Sequence, residues 1–150
     1  MRIVSISKTE CKALLKRVMI GRLASSMNNQ PYVVPICFSY IPRKNCLYLF
    51  STVGQKIKWM RKNPKVCFQA DEIGNRAIWA SVVINGKYVE LTEPKFAAEK
   101  QQAIEYLAQY SSWWRTPLVQ RREKNKDQGI EPVFFRIDIS SISGLRASMK

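Results

Sequence analysis

Histidine is absent from the 150 residues. Its absence removes Ser-His-Asp and Cys-His nucleophile pairs, histidine acid–base catalysis and a histidine haem ligand, because no remaining side chain titrates unperturbed near neutrality. Cysteine is sparse. Cys11, Cys37, Cys46 and Cys67 stand 26, 9 and 21 residues apart, with no C-x-x-C pair, which excludes a structural zinc and gives no disulfide framework. Long apolar runs are missing as well. The longest uncharged stretch, Leu23 to Pro42, is interrupted by Ser25, Ser26, Asn28, Asn29, Gln30, Pro31 and Pro35, so it does not read as a bilayer span. The first residues lack an apolar core followed by a small-residue cleavage site, and a reducing cytoplasm is the expected location. Acidic residues are missing from Cys11 through Ala70. Residues 1–70 hold thirteen Lys and Arg against one acid and residues 71–150 hold twelve against ten, so +12 of the net +14 lies in the first half.

What is present describes a packed globular chain. Hydrophobic residues make up 46% and charged residues 24%, near the globular average. The length suits one domain, expected over 1–150. With no histidine, chemistry is expected to reside in a bound cofactor. The basic first half fits a solvated face, a nucleic acid or a phosphorylated ligand, and charge alone does not separate these.

Ser7-Lys8-Thr9-Glu10 is a capping box. Cys11, Leu14, Leu15, Val18 and Met19 continue it as one face of an amphipathic helix, expected to end at Gly21. Arg22–Ser25, Pro31–Ile41 and Cys46–Ser51 read as strands of an antiparallel meander. Both alternating sets of the second are apolar, which predicts cover on both faces, and Pro35 requires an edge or a bulge. Ser51 or Thr52 is the expected cap of a short helix stopped by Asn63-Pro64. Val66–Ala70 and Ile78–Leu91 are further strands, the second with a bulge at Asn85-Gly86 rather than a hairpin turn. Thr92 is the expected cap of a third helix carrying Phe96, Ile104 and Leu107, followed by Trp113-Trp114, a basic loop from Gln120 to Gly129 and a last strand, Val133–Ile139. About six strands that do not alternate with three helices predict a mainly β fold, a small antiparallel barrel with peripheral helices.

Ser51, Thr52, Gly54 and Lys56 join a strand end to a helix start, where free backbone N–H groups and the helix dipole favour an anion. The same residues would serve as an ordinary cap followed by a surface lysine. Trp79, Ser81 and Val83 fall on one strand face with Val82 on the other. Sheet packing accounts for them equally well.

Gly21-Arg22-Leu23-Ala24, Pro31-Tyr32-Val33-Val34-Pro35, the stretch Phe50 to Cys67 and Trp79-Ala80-Ser81-Val82-Val83 with Gly86, in that order, resemble the pyridoxamine 5'-phosphate oxidase-like flavin-binding proteins, close to their nitroimidazole-resistance branch. The resemblance covers roughly residues 8–146, including Trp113-Trp114, Pro117 and Ser143 to Ala147. It implies a split antiparallel β-barrel that forms a homodimer with FMN in two clefts between the subunits. Carried onto this chain, it makes Ser51, Thr52, Gln55 and Lys56 the phosphate group, Val34, Pro35 and Ile36 the strand beside the flavin ring, and Trp79, Ser81 and Val82 further cofactor residues. Many chains of that branch carry histidine where this one has Phe50, and others at the Leu145 position, so no catalytic side chain is assigned. The expected function is an FMN-binding oxidoreductase acting on a small oxidised, nitro-aromatic or similar compound. A flavin carrier without turnover and a basic nucleic-acid-binding barrel are the alternatives, and the resemblance disfavours nucleic acid.

Overall fold

The computed structural model describes residues 1–109 and 132–149. Trp113, Trp114, Pro117 and the basic loop from Gln120 to Gly129 lie outside the described residues. The capping box forms as its spacing requires: Ser7 N–H donates to Glu10 Oε2 at 2.8 Å and Glu10 N–H to Ser7 Oγ at 3.2 Å. Helix α1 (Lys8–Arg17) follows and buries Cys11, Leu14 and Leu15. The other helices are α2 (Gln55–Lys62) and α3 (Ala97–Ala108). The strands are β1 (Arg2–Ser5), β2 (Ile20–Met27), β3 (Gln30–Ile41), β4 (Cys46–Thr52), β5 (Lys65–Asn75), β6 (Ile78–Glu90) and β7 (Pro132–Ser148). None of the described helices is long and apolar enough to cross a membrane.

All strand pairs are antiparallel, in the order β1-β7-β4-β3-β2-β5-β6, and β6 pairs back onto β7 to close a ring. The length of β7 makes closure possible. It pairs with β4 over Pro132–Asp138, with β6 over Phe135–Ala147 and with β1 over Leu145–Ser148. The ring is not a regular barrel. β2 meets β5 only from Arg22 to Ala24, and β3 meets β4 only from Phe38 to Ile41. Inward side chains of alternate positions, among them Leu23, Phe38, Leu49, Phe68, Ile84 and Phe135, form the main core with α1 and with Ile57 and Met60 of α2. A second cluster lies under α3 on the opposite face of β4 and joins Ile41, Cys46, Tyr48, Ala103, Leu107 and Phe134.

Several expectations change with tertiary contacts. α1 ends at Arg17, and Gly21 belongs to β2 instead of terminating the helix. A Cβ at Gly21 would stand 2.2 Å from Phe68 Cζ and 2.6 Å from the Gln69 carbonyl oxygen, so glycine there permits close approach of β2 to β5. β3 is not covered on both faces: Val33 is 62% exposed and Pro35 is exposed too. The edge that Pro35 requires is present, since β3 pairs with β2 through Cys37 but reaches β4 only at Phe38. Ser51 and Thr52 remain in β4, and the N-cap of α2 is Gly54. Phe96, four residues after Thr92, caps α3. β1 has no counterpart in the sequence reading, and β7 runs nine residues past the expected Ile139, to Ser148. The bulge at Asn85-Gly86 is present as a register shift within the unbroken β6.

Candidate functional site

The β4–α2 junction gathers the four residues expected around a phosphate. Ser51 is buried, and its hydroxyl donates to the Thr52 carbonyl at 3.1 Å. Gly54 supplies no capping side chain, the first turn of α2 holds no acid, and that turn begins Gln55-Lys56. A helix start normally gains from an acid. Here a lysine joins the positive end of the dipole, an arrangement stabilised by an incoming anion.

Contacts on several sides fix α2. Ile57 and Met60 are fully buried in the main core, each burial contributing about 1.5–3 kcal/mol. Trp59 packs edge-on against Tyr32 of β3 at 5.7 Å, and Asn63 Nδ2 donates to the Ser26 carbonyl at 3.1 Å and to its hydroxyl oxygen at 3.2 Å. Arg61 forks onto Glu90 of β6 at 2.7 and 3.2 Å, and Tyr88 O–H donates to the same carboxylate at 2.6 Å. Burial pushes the Glu90 carboxyl up, but its bonds from Arg61 and Tyr88 outweigh this and hold it below its ordinary value of 4.5. A carboxylate depressed in the folded state stabilises above its unfolded pKa and loses that contribution as pH falls through the lower folded value. Glu90→Gln is therefore expected to flatten the loss of stability below about pH 4.5, read by urea unfolding from pH 7 to pH 3. An unchanged acid limb would contradict the assignment.

Val34, Pro35 and Ile36 lie on the half of β3 that, among the described residues, no strand joins on its β4 side. Ile36 packs against the main core, while Pro35 faces outward opposite Arg22. Trp79 and Ser81 face outward on β6, and Val82, the residue after Ser81, is fully buried in the core, matching the expected alternation. The ladder sets Pro35 opposite Arg22, Arg22 opposite Gln69 and Gln69 opposite Val83, so Pro35 and the Trp79–Val83 face belong to one outer surface. A cleft of about 470 Å³ opens there, lined by Asp71, Ile73, Arg76, Trp79 and Ser81 among others.

The two groups of expected residues do not meet within one chain. Arg61 holds α2 to Glu90 at the end of β6, while Trp79 lies eleven residues away near its start, roughly 35 Å along the strand. Sequence reading missed Gln69 and Asp71 and gave Arg22 no role. Their only local signal is a polar i, i+2 alternation in β5, while their connection to Arg22 spans 47 and 49 residues. Phe50 stacks on Phe134 at 5.7 Å, so this position serves packing under α3. Burial pushes the Cys46 thiol up to about 11 and raises Cys11 and Cys37, which keeps all three protonated near neutrality.

The model of a family described as pyridoxamine 5'-phosphate oxidase matches residues 7–146. An uncharacterised protein of Rhizobium meliloti is 33% identical over 143 residues, covering 95% of this chain and 93% of its own length. A solved FAD-binding protein of Mesorhizobium loti is 37% identical, with TM-score 0.79 and coverage of 99% and 98% of the two chains. A candidate 5-nitroimidazole antibiotic resistance protein of Bacteroides thetaiotaomicron has the same fold at 19% identity, with TM-score 0.69 and coverage of 97% and 87%.

Proposed function

This chain belongs to the pyridoxamine 5'-phosphate oxidase family, and from that premise we propose that it is a homodimeric flavin-binding oxidoreductase that takes FMN. The observation that carries this reading is the start of α2, where Lys56 and a helix N-terminus without an acid or a capping side chain follow two hydroxyl-bearing residues. That donor set fits a phosphate. The open edge at Val34, Pro35 and Ile36 offers backbone polar groups and apolar side chains to a ring. FAD is the ligand named for the Mesorhizobium loti relative; FMN is favoured here because one lysine at one helix start makes a donor set for a single phosphate.

A bound flavin supplies electron or hydride transfer. The protein's part would be to hold the phosphate through Thr52, Gln55 and Lys56, with Ser51 bonded to the Thr52 carbonyl, to place the ring along β3 and to exclude water from it. Exclusion requires a second copy. Ile20, Val33, Ile73, Val83 and Leu145 are exposed on the outer surface that carries Trp79 and Ser81, and pairing two such surfaces would bring Trp79 and Ser81 of one subunit to the flavin of the other. The compound acted on would be a small oxidised one such as a nitro-aromatic, and the location a reducing cytoplasm, where the four free cysteines would stay unpaired.

Titration with FMN, FAD and riboflavin, followed by flavin fluorescence, tests the ligand. FMN is expected to bind at least tenfold tighter than riboflavin, and equal affinities would overturn the phosphate site. Sedimentation at micromolar concentration is expected to show a dimer. A flavin-loaded monomer would overturn the shared cleft. Visible absorbance also separates this reading from a nucleic-acid binder, which would be colourless.

A further inference from the structure

Four polar side chains interrupt the apolar outer surface of β2, β5 and β6. Arg22 Nη1 donates to Asp71 Oδ2 at 3.0 Å and to Gln69 Oε1 at 3.5 Å. Gln69 Nε2 donates to the same Asp71 oxygen at 2.7 Å and to Ser81 Oγ at 3.2 Å. The chain of bonds has a defined direction. An ionised carboxylate only accepts, so the amide atom facing Asp71 is nitrogen, and the amide orientation of Gln69 is thereby settled. Ser81 consequently receives a hydrogen bond from Gln69. One of its two lone pairs is engaged, and its single proton is left for another group.

The outward side of this row is donor-rich. Both bonds to Asp71 fall on its Oδ2, whereas Ser81 retains its O–H and the half-exposed Arg22 retains further N–H groups. A partner that meets the Ser81 end of the row must accept a hydrogen bond. The position of the row narrows the choice, because Arg22 stands directly opposite Pro35 and Ser81 is on the same outer surface.

We propose that Arg22, Asp71 and Gln69 form a positioning row that orients the Ser81 hydroxyl proton toward an acceptor atom of a flavin ring held by a second copy of the chain. The inference rests on the flavin reading above and extends it. Ser81 touches the ring, whereas Gln69 acts through Ser81. A donor placed where negative charge accumulates on reduction binds the reduced ring more tightly than the oxidised one, so the row raises the flavin's reduction potential.

The potential of the FMN-loaded protein tests this. Ser81→Ala and Gln69→Leu are each expected to lower the preference for reduced over oxidised FMN about tenfold, equivalent to about 30 mV for a two-electron couple. Affinity for oxidised FMN should fall by a smaller factor than affinity for reduced FMN. Ser81→Thr, which keeps the hydroxyl, should retain the wild-type potential. The double variant should fall no further than Ser81→Ala alone, because Gln69 acts on the ring only through Ser81. A wild-type potential in Ser81→Ala and Gln69→Leu, with FMN bound, would overturn this proposal and leave the flavin reading standing. Failure of the wild-type protein to take up any flavin would overturn both. If Gln69→Leu does not fold, the contrast between Ser81→Ala and Ser81→Thr decides.

Discussion

Lys56→Ala is expected to weaken FMN binding about 10- to 150-fold, the equivalent of roughly 1.5–3 kcal/mol for a hydrogen bond to a charged group. The lysine stands in the first turn of a helix that has neither an acid there nor a capping side chain. Its ammonium and the helix dipole therefore act on the same anion. Lys12→Ala is the matched control: Lys12 is an exposed lysine of α1, in the same basic half of the chain. A general field would make the two substitutions equivalent, each lowering the salt dependence of polyanion binding by about one counterion. A built site makes them unequal. Lys44 is unsuited as a control because its ammonium already donates to Tyr48 and Gln102 at 3.1 Å each, so its removal disturbs the packing of α3. Flavin fluorescence titration of the two variants decides, and equal dissociation constants would count against the proposed site.

Gly21→Ala is expected to lower stability by about 1–3 kcal/mol or more, the range for forcing an extra methyl group into a packed interior. The new methyl would meet a phenyl ring with nowhere to retreat. Phe68 is 1% exposed and packs edge-on against Phe38 at 4.8 Å. The Gln69 carbonyl, 2.6 Å from the added carbon, belongs to the β2–β5 ladder and moves only with its strand. Gly54→Ala is the contrast, since the nearest atom to an added carbon there is 4.0 Å away. Urea unfolding of both variants should show a lower midpoint for Gly21→Ala and a near-wild-type one for Gly54→Ala. Equal midpoints would mean that the β2–β5 approach is looser than the structure shows.

Much of this protein was readable from sequence because the relevant physics is local. The capping box at Ser7 and Glu10, the apolar face beginning at Cys11, the period-two strands and the bulge at Asn85-Gly86 each depend on residues close together in the chain. The motif order from Gly21 to Gly86 likewise led to the family. What escaped depended on distant partners. Gly21 read as a helix stop because the Phe68 ring that demands a glycine lies 47 positions later. β3 read as covered on both faces because alternation counts apolar residues without showing that Val33 and Pro35 on its outer side stay exposed. The residues from Ile78 to Glu90 read as one strand with Trp79 near its start, but nothing in them shows that Glu90 at the other end is the partner of Arg61. Side-chain chemistry and local geometry are written in the order of the residues. Which donor faces which acceptor, and whether two halves of a site meet in one chain or require two, is decided only when strands far apart in sequence are set side by side.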